Sequence, residues 1–137
     1  MKIVFLCGSL EPGRDGVGDY TRRLGAELIK HGHNVAVVAL KDSGVTGVLS
    51  SQQHSDNVEL PVLRLPNAMA EKKQFELVKQ WVDDFDPEWF SLQFVPFSFH
   101  PKGLMLGFAG MLRRLGGERQ WHIMFHELWI GMDVSFP

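Results

Sequence analysis

The chain has 137 residues, with 14 Lys and Arg against 16 Asp and Glu, a formal net charge of −2. That length predicts one domain with a real core and excludes two independent ones. The near-neutral charge excludes the electrostatic footprint of a general nucleic-acid binder, and one cysteine, Cys7, excludes an intrachain disulfide framework or a multi-cysteine zinc site.

The chain opens on Met1-Lys2-Ile3-Val4-Phe5-Leu6-Cys7-Gly8. Its apolar run is too short for a signal-peptide core and lacks a cleavage site. No later stretch approaches the roughly 20 apolar residues that cross a bilayer, so the expected location is the cytoplasm, with contact to the inner face of the membrane left open.

Lys2–Cys7 reads as a strand covered on both faces, because its apolar run is nearly unbroken. Gly18–Gly32 reads as a helix, with Tyr20, Leu24 and Leu28 on one stripe and Gly32 at its stop. Val35–Leu40 is a second buried strand. Lys41–Asn57, polar and rich in Gly and Ser, is expected to be a loop. Val58–Leu65 follows as a third strand that Pro61 demotes to an edge or a strand start. Ala70–Phe85 is helical and ends at Asp86-Pro87. Glu88–Phe94 is a fourth strand, Leu104–Leu115 a third helix stopped by Gly116-Gly117, and Trp121–Phe125 a fifth strand. Strands alternating with helices predict an α/β fold: an open, mainly parallel, Rossmann-like sheet with helices on both faces, forming a single domain over residues 1–137.

In such sheets ligands bind beyond the carboxyl ends of the strands. After the first strand come Gly13, Gly16 and Gly18, then a helix start whose N–H groups suit a phosphate; a flexible connector capped by Asp19 is the structural alternative. The dinucleotide pattern G-x-G-x-x-G and the Walker pattern are both absent. Asp42, just past the second strand, is expected to be a solvated loop aspartate. After the fourth strand, Phe97, Phe99 and His100 sit in a loop with two prolines, as an apolar or sugar-stacking wall or as packing on the sheet edge. After the fifth come His126 and Glu127, placed where reacting groups are presented, with Trp129 just beyond; a polar strand terminus is the alternative. Asp84-Phe85-Asp86 has the spacing of a metal-binding D-x-D, but a solvated helix end explains it. Cys7 is expected to be a buried small hydrophobe and His122 a packing residue in mid-strand. No residue set has metal-ligand spacing.

Together the opening segment KIVFLCGSLEPGRDGVGDYTRRLGAELIKHGHNVAVVAL, the Asp86-Pro87-Glu88 lead into LQFVPF and the IMFHE strand ending resemble the N-terminal domain of a GT-B-fold, family 4 retaining glycosyltransferase. The resemblance implies that Gly16, Val17 and Gly18 approach the donor diphosphate or sugar. His126, with Glu127 beside it, would line the transfer site as the catalytic pair, and Phe97, Phe99, His100 and Trp129 would face the acceptor. It further implies a nucleotide-sugar donor as substrate, a glycan or lipid-linked acceptor, no cofactor and no required metal. A second, C-terminal Rossmann-like domain would supply most nucleotide contacts, so the chain is expected to be a truncated acceptor-side half, inactive alone. Two other readings stand beside it: a Rossmann-type oxidoreductase fragment, and a non-catalytic α/β interaction module.

Overall fold

The computed structural model describes residues 1–94 and 106–126. Their elements are β1 (Lys2–Cys7), α1 (Gly16–Lys30), β2 (Asn34–Asp42), β3 (Leu49–Ser55), β4 (Val58–Pro66), α2 (Glu71–Phe85), β5 (Trp89–Phe94), α3 (Leu106–Gly116) and β6 (Gln120–Phe125). The strands form one open six-stranded sheet in the order β3-β4-β2-β1-β5-β6. Every neighbouring pair is parallel except β3 and β4, which run antiparallel. The α/β, mostly parallel, Rossmann-like expectation holds.

The apolar runs explain the interior of the sheet. β1 and β2 are buried almost end to end because helices cover both of their faces. Ile3, Phe5, Cys7, Val35, Val37, Ala39, Leu60 and Val62 meet Leu24, Leu28 and Ile29 of α1. Val4, Leu6, Ala36, Val38, Leu40, Leu63 and Leu65 meet Val78 and Val82 of α2 and Leu115 of α3. Each fully buried Leu or Val contributes roughly 1.5–3 kcal/mol relative to an exposed one. The division of helices between faces follows from handedness. β1 to β2 moves one way along the sheet, whereas β4 to β5 and β5 to β6 move the other way, so right-handed crossovers place α1 opposite α2 and α3. Strand order thus reverses beside β1, and the crevice beyond the carboxyl ends of β1 and β5 is the topological switch point.

Two expectations need correction. The stretch 41–57 is not all loop: Leu49–Ser55 forms β3, paired along its length with β4 from Leu49↔Arg64 to Ser55↔Val58. Its sequence, LSSQQHS, lacks apolar alternation because β3 is an edge strand and largely exposed. The signal that marks it is Asp56-Asn57, both at positive φ (53° and 64°), the two central residues of a type I′ hairpin turn. β4 is consequently an interior strand, and Pro61 lies one residue before its ladder to β2 begins at Val37↔Val62. The second correction concerns α1, which starts at Gly16 on an Asp15 cap and ends at His31, with Gly32 at φ 92° beyond it. Gly16, Val17 and Gly18 are therefore its first turn.

No helix among the described residues is long and apolar enough to cross a membrane.

Candidate functional site

The switch-point crevice is framed by the segment from Gly8 to Asp15, the first turns of α1, and the ends of β5 and β6. The segment begins with a buried anchor, Leu10, fully excluded from solvent. Pro12 and Gly13 (φ 73°) occupy the centre of a turn closed by the Arg14 N–H donating to the Glu11 carbonyl at 3.1 Å, the arrangement of a type II turn.

The Leu10 peptide is held from both sides. Its N–H donates to Asp42 Oδ2 at 2.9 Å, and its carbonyl accepts from Arg22 Nη2 at 2.8 Å and from Gln53 Nε2 at 3.2 Å. Asp42 ends β2 and is completely buried, which overturns its reading as a solvated loop residue. Ser9 Oγ and the Gly44 N–H donate to its Oδ1 at 2.9 Å each, and Arg64 Nε donates to its Oδ2 at 2.7 Å. Arg64, itself 7% exposed, also reaches Glu11 Oε2 at 2.9 Å. Burial alone would raise the Asp42 pKa, but the donors from Arg64, Leu10, Gly44 and Ser9 outweigh it and hold the carboxyl below the ordinary carboxylate range. A buried ion pair left with so few unmet valences is the form in which charge is tolerated inside a protein.

A second cluster ties α1 to the same segment. Arg22 donates to Asp19 Oδ1 at 2.8 Å and to Gln53 Oε1 at 2.7 Å, and Asp19 Oδ1 also accepts the Gly13 N–H at 3.1 Å. The Arg22 hydrogen bond, aided by the one from Gly13, depresses the Asp19 pKa. Gln53 comes from β3, so the strand concealed in the polar stretch delivers a contact to the site.

The three expected donor-side residues differ in their surroundings. A Cβ on Gly16 would meet nothing within 4 Å, whereas one on Gly18 would lie 2.3 Å from the Ser9 carbonyl oxygen. Gly18 is glycine because the Ser9–Leu10 backbone crosses directly over it, and its N–H is already given to Asp15 Oδ1 at 2.8 Å. Gly16 and Val17 lie in the part of the first turn whose N–H groups have no acceptor within the helix itself.

His126 follows β6 at the carboxyl edge. Its Nε2 lies 2.9 Å from Gln93 Oε1 of β5, and its ring stands edge-on to Tyr20 of α1, with centroids 5.5 Å apart. His126 is thereby brought against the same helix that begins with Gly16 and Val17. Glu127, Phe97, Phe99, His100 and Trp129 lie outside the described residues. Beneath the edge, Ser91 and His122 border an open cavity of about 290 Å3, otherwise walled by apolar groups including Ile3, Phe5, Leu24, Leu28 and Trp89.

The remaining candidates are structural. Cys7 is fully buried as expected, and that burial, with Asp15 and Asp42 adding to it, pushes its thiol far up, which removes it as a nucleophile. His122 is exposed rather than packed, and meets Ser91 Oγ at 2.8 Å. Asp86 caps α2 with φ 56°, and Arg119 ties Asp83, Asp86 and the Pro87 carbonyl together at 3.2, 3.0 and 2.8 Å. Among the described residues no three His, Cys, Asp or Glu side chains converge to hold a metal ion.

Position at a strand end was enough to single out His126, but its partners Gln93 and Ser91 depend on cross-strand register, which no local pattern reveals. Asp42 and Arg64 escaped for the same reason; the one available signal was a lone arginine within the apolar run of β4. Compared with known proteins, the chain matches no family model, no curated protein and no solved structure.

Proposed function

We propose that this chain is the acceptor-side, N-terminal part of a glycosyltransferase that moves a sugar from a nucleotide sugar to a glycan or glycoconjugate with retention of anomeric configuration. The observation that carries the reading is the approach of His126 to α1. A histidine at a strand's carboxyl end lies against Tyr20, on the helix whose first turn is Gly16-Val17-Gly18, at the switch point of the sheet. A leaving nucleoside diphosphate gains negative charge as the glycosidic bond breaks, and N–H groups at a helix start stabilise such charge. His126 can accept or donate a hydrogen bond to a sugar hydroxyl beside it. The residues around the first turn bring carboxylates, Asp15 and Asp19, as well as Arg14 and Arg22. Most of the cationic stabilisation must therefore come from a second Rossmann-like domain, and the chain alone should transfer no sugar.

The oxidoreductase alternative loses support from two features. The connection from β1 to α1 runs from Gly8 to Asp15 in place of a tight glycine turn. Asp42, at the tip of β2 where a ribose-binding acid would stand, has its oxygens engaged by Arg64, Ser9, Leu10 and Gly44.

An amide-resolved NMR titration with UDP- and GDP-sugars tests the proposal. Millimolar nucleotide sugar should perturb Gly16, Val17, Tyr20 and His126, NADH should not, and Gly16→Val should abolish the response by filling the open space beside Gly16 that a bound diphosphate would take. Perturbation by NADH in its place, or none at these residues, would sink the reading.

A further inference from the structure

The six-stranded sheet ends on β3, and that edge is unguarded. Edge strands are ordinarily blunted by a lysine, a proline or a bulge, because their free N–H and C=O groups invite another strand. β3 reads LSSQQHS, with no residue of fixed charge and no proline, and its register with β4 runs unbroken from Leu49 to Ser55. The hairpin decides which of its groups are free. A two-residue turn is closed by a hydrogen-bonded pair, here Ser55↔Val58, and such pairs alternate along the ladder. Gln53↔Leu60, Ser51↔Val62 and Leu49↔Arg64 therefore bond to β4, whereas Ser50, Gln52 and His54 point their main-chain groups outward. Pro61, which has no N–H, stands opposite Gln52, at a pair that needs none. Among the described residues no other main-chain group takes the outward donors and acceptors. Beside them lie Val48 and Leu49, large apolar residues that are 44% and 41% exposed.

We propose that this edge pairs with β3 of a second copy of the chain, antiparallel and centred on Gln52. The outward residues are self-complementary about that centre: Gln52 meets Gln52, and Ser50 meets His54, across a two-fold axis. Each pair exchanges two main-chain hydrogen bonds. No like charges are brought together. His54 is turned to Glu59 beside it on β4, 2.9 Å away, and Asp56 is held by Lys30. The same register lays Leu49 beside Ser55, and Val48 beside Asp56, of the second copy, so the exposed apolar pair is covered by the partner's hairpin end. An unrelated strand would satisfy the main chain equally, but only a copy of this hairpin brings that cover. The axis stands perpendicular to the sheet, which puts both α1 helices on one face. The nearest strands that they cover with apolar side chains are the two β4 strands. Three strand spacings, roughly 14 Å, separate these strands, more than the roughly 8–10 Å between packed helices. The antiparallel arrangement opens the two switch-point crevices in opposite directions and leaves both free.

One short strand per copy makes a small interface, so the dimer should be weak. Sedimentation equilibrium of the full chain should show its mass rising toward twice the monomer's between about 10 μM and 1 mM. Amide hydrogen exchange supplies the signature of the edge. Ser50, Gln52 and His54 should exchange several-fold more slowly at the high concentration, while Ser51 and Gln53, already bonded to β4, should keep their rates. Gln52→Lys sets two ammonium groups against each other at the axis, and Gln52→Pro deletes the central donor. Both should fold, since Gln52 is exposed and its N–H is not used by β4, and both should stay monomeric at every concentration. A parent chain that is still monomeric at about 1 mM overturns the proposal. So does a dimer that survives Gln52→Lys or leaves the three outward amides unprotected, which would put the contact elsewhere, as on the β6 edge. Mass growing past the dimer overturns it too, because a two-fold pairing closes on itself. The sugar reading is untouched by any of these results, since β3 lies across the sheet from β5 and β6.

Discussion

At the scale of single residues, the most constrained group is Asp42. Its carboxylate holds the Leu10 N–H, the Ser9 hydroxyl and the Gly44 N–H while neutralising Arg64, so one side chain ties the β1–α1 segment to both β2 and β4. Asp42→Asn keeps the size but removes the charge. Because Glu11 still faces Arg64, the expected cost is about 3 kcal/mol, the lower end for breaking a buried pair. The pH dependence has a definite sign. A carboxyl whose folded pKa is depressed stabilises the fold above its unfolded value and loses that contribution as pH falls through the lower folded value. Urea unfolding of the parent chain should therefore weaken below about pH 4, the ordinary aspartate range, and Asp42→Asn should flatten that slope. An equally steep acid limb in the variant would assign the loss to other carboxylates. None of this was legible from the residue alone, since an aspartate after an apolar strand looks the same whether solvent or an arginine receives it.

At the scale of elements, legibility followed coverage. KIVFLC and VAVVAL announce themselves because a parallel strand buried on both faces must be apolar throughout. The amphipathic stripes of α1 and α2 identify helices for the complementary reason. β3 stayed hidden because an exposed edge strand owes its existence to backbone pairing with β4 more than to burial, and pairing leaves no trace in composition. Its turn supplies the test. Asp56 and Asn57 both adopt the left-handed region, which glycine and asparagine accept and β-branched residues resist. Asn57→Gly should leave the unfolding midpoint equal or higher, and Asn57→Val should cost about 1–2 kcal/mol. Since β3 carries Gln53 to the Leu10 carbonyl, the valine variant should also loosen the segment before α1. Indifference of the midpoint to both changes would remove the tight turn. α1 begins at Gly16, two residues before the Gly18 start that the apolar stripe predicts, because the Asp15 side chain accepts the Gly18 N–H and caps it there.

At the scale of the whole molecule, the strand order separates the site into two contributions. α1 and the segment pinned by Asp42 and Arg22 belong to the β1-β2-β4 side, whereas Gln93 and His126 belong to β5 and β6. The fold class was readable because alternating elements and handedness admit few arrangements. The candidate site was readable only in its positions, since its contacts are made across strands distant in sequence. That distance has a kinetic consequence. β1 reaches β2 after one helix, but the Ile3↔Trp89 register requires almost the entire intervening chain to be gathered first, an entropic toll that slows non-local pairing. β1, α1, β2 and the β3–β4 hairpin should therefore consolidate early, with β5 and β6 closing last and reopening first. Native-state hydrogen exchange should find Ile123 and Met124 amides exchanging through a lower-energy opening than those of Val37 and Val38; equal protection would indicate a single cooperative unit. On this account His126 is delivered to a helix start that is already waiting for it.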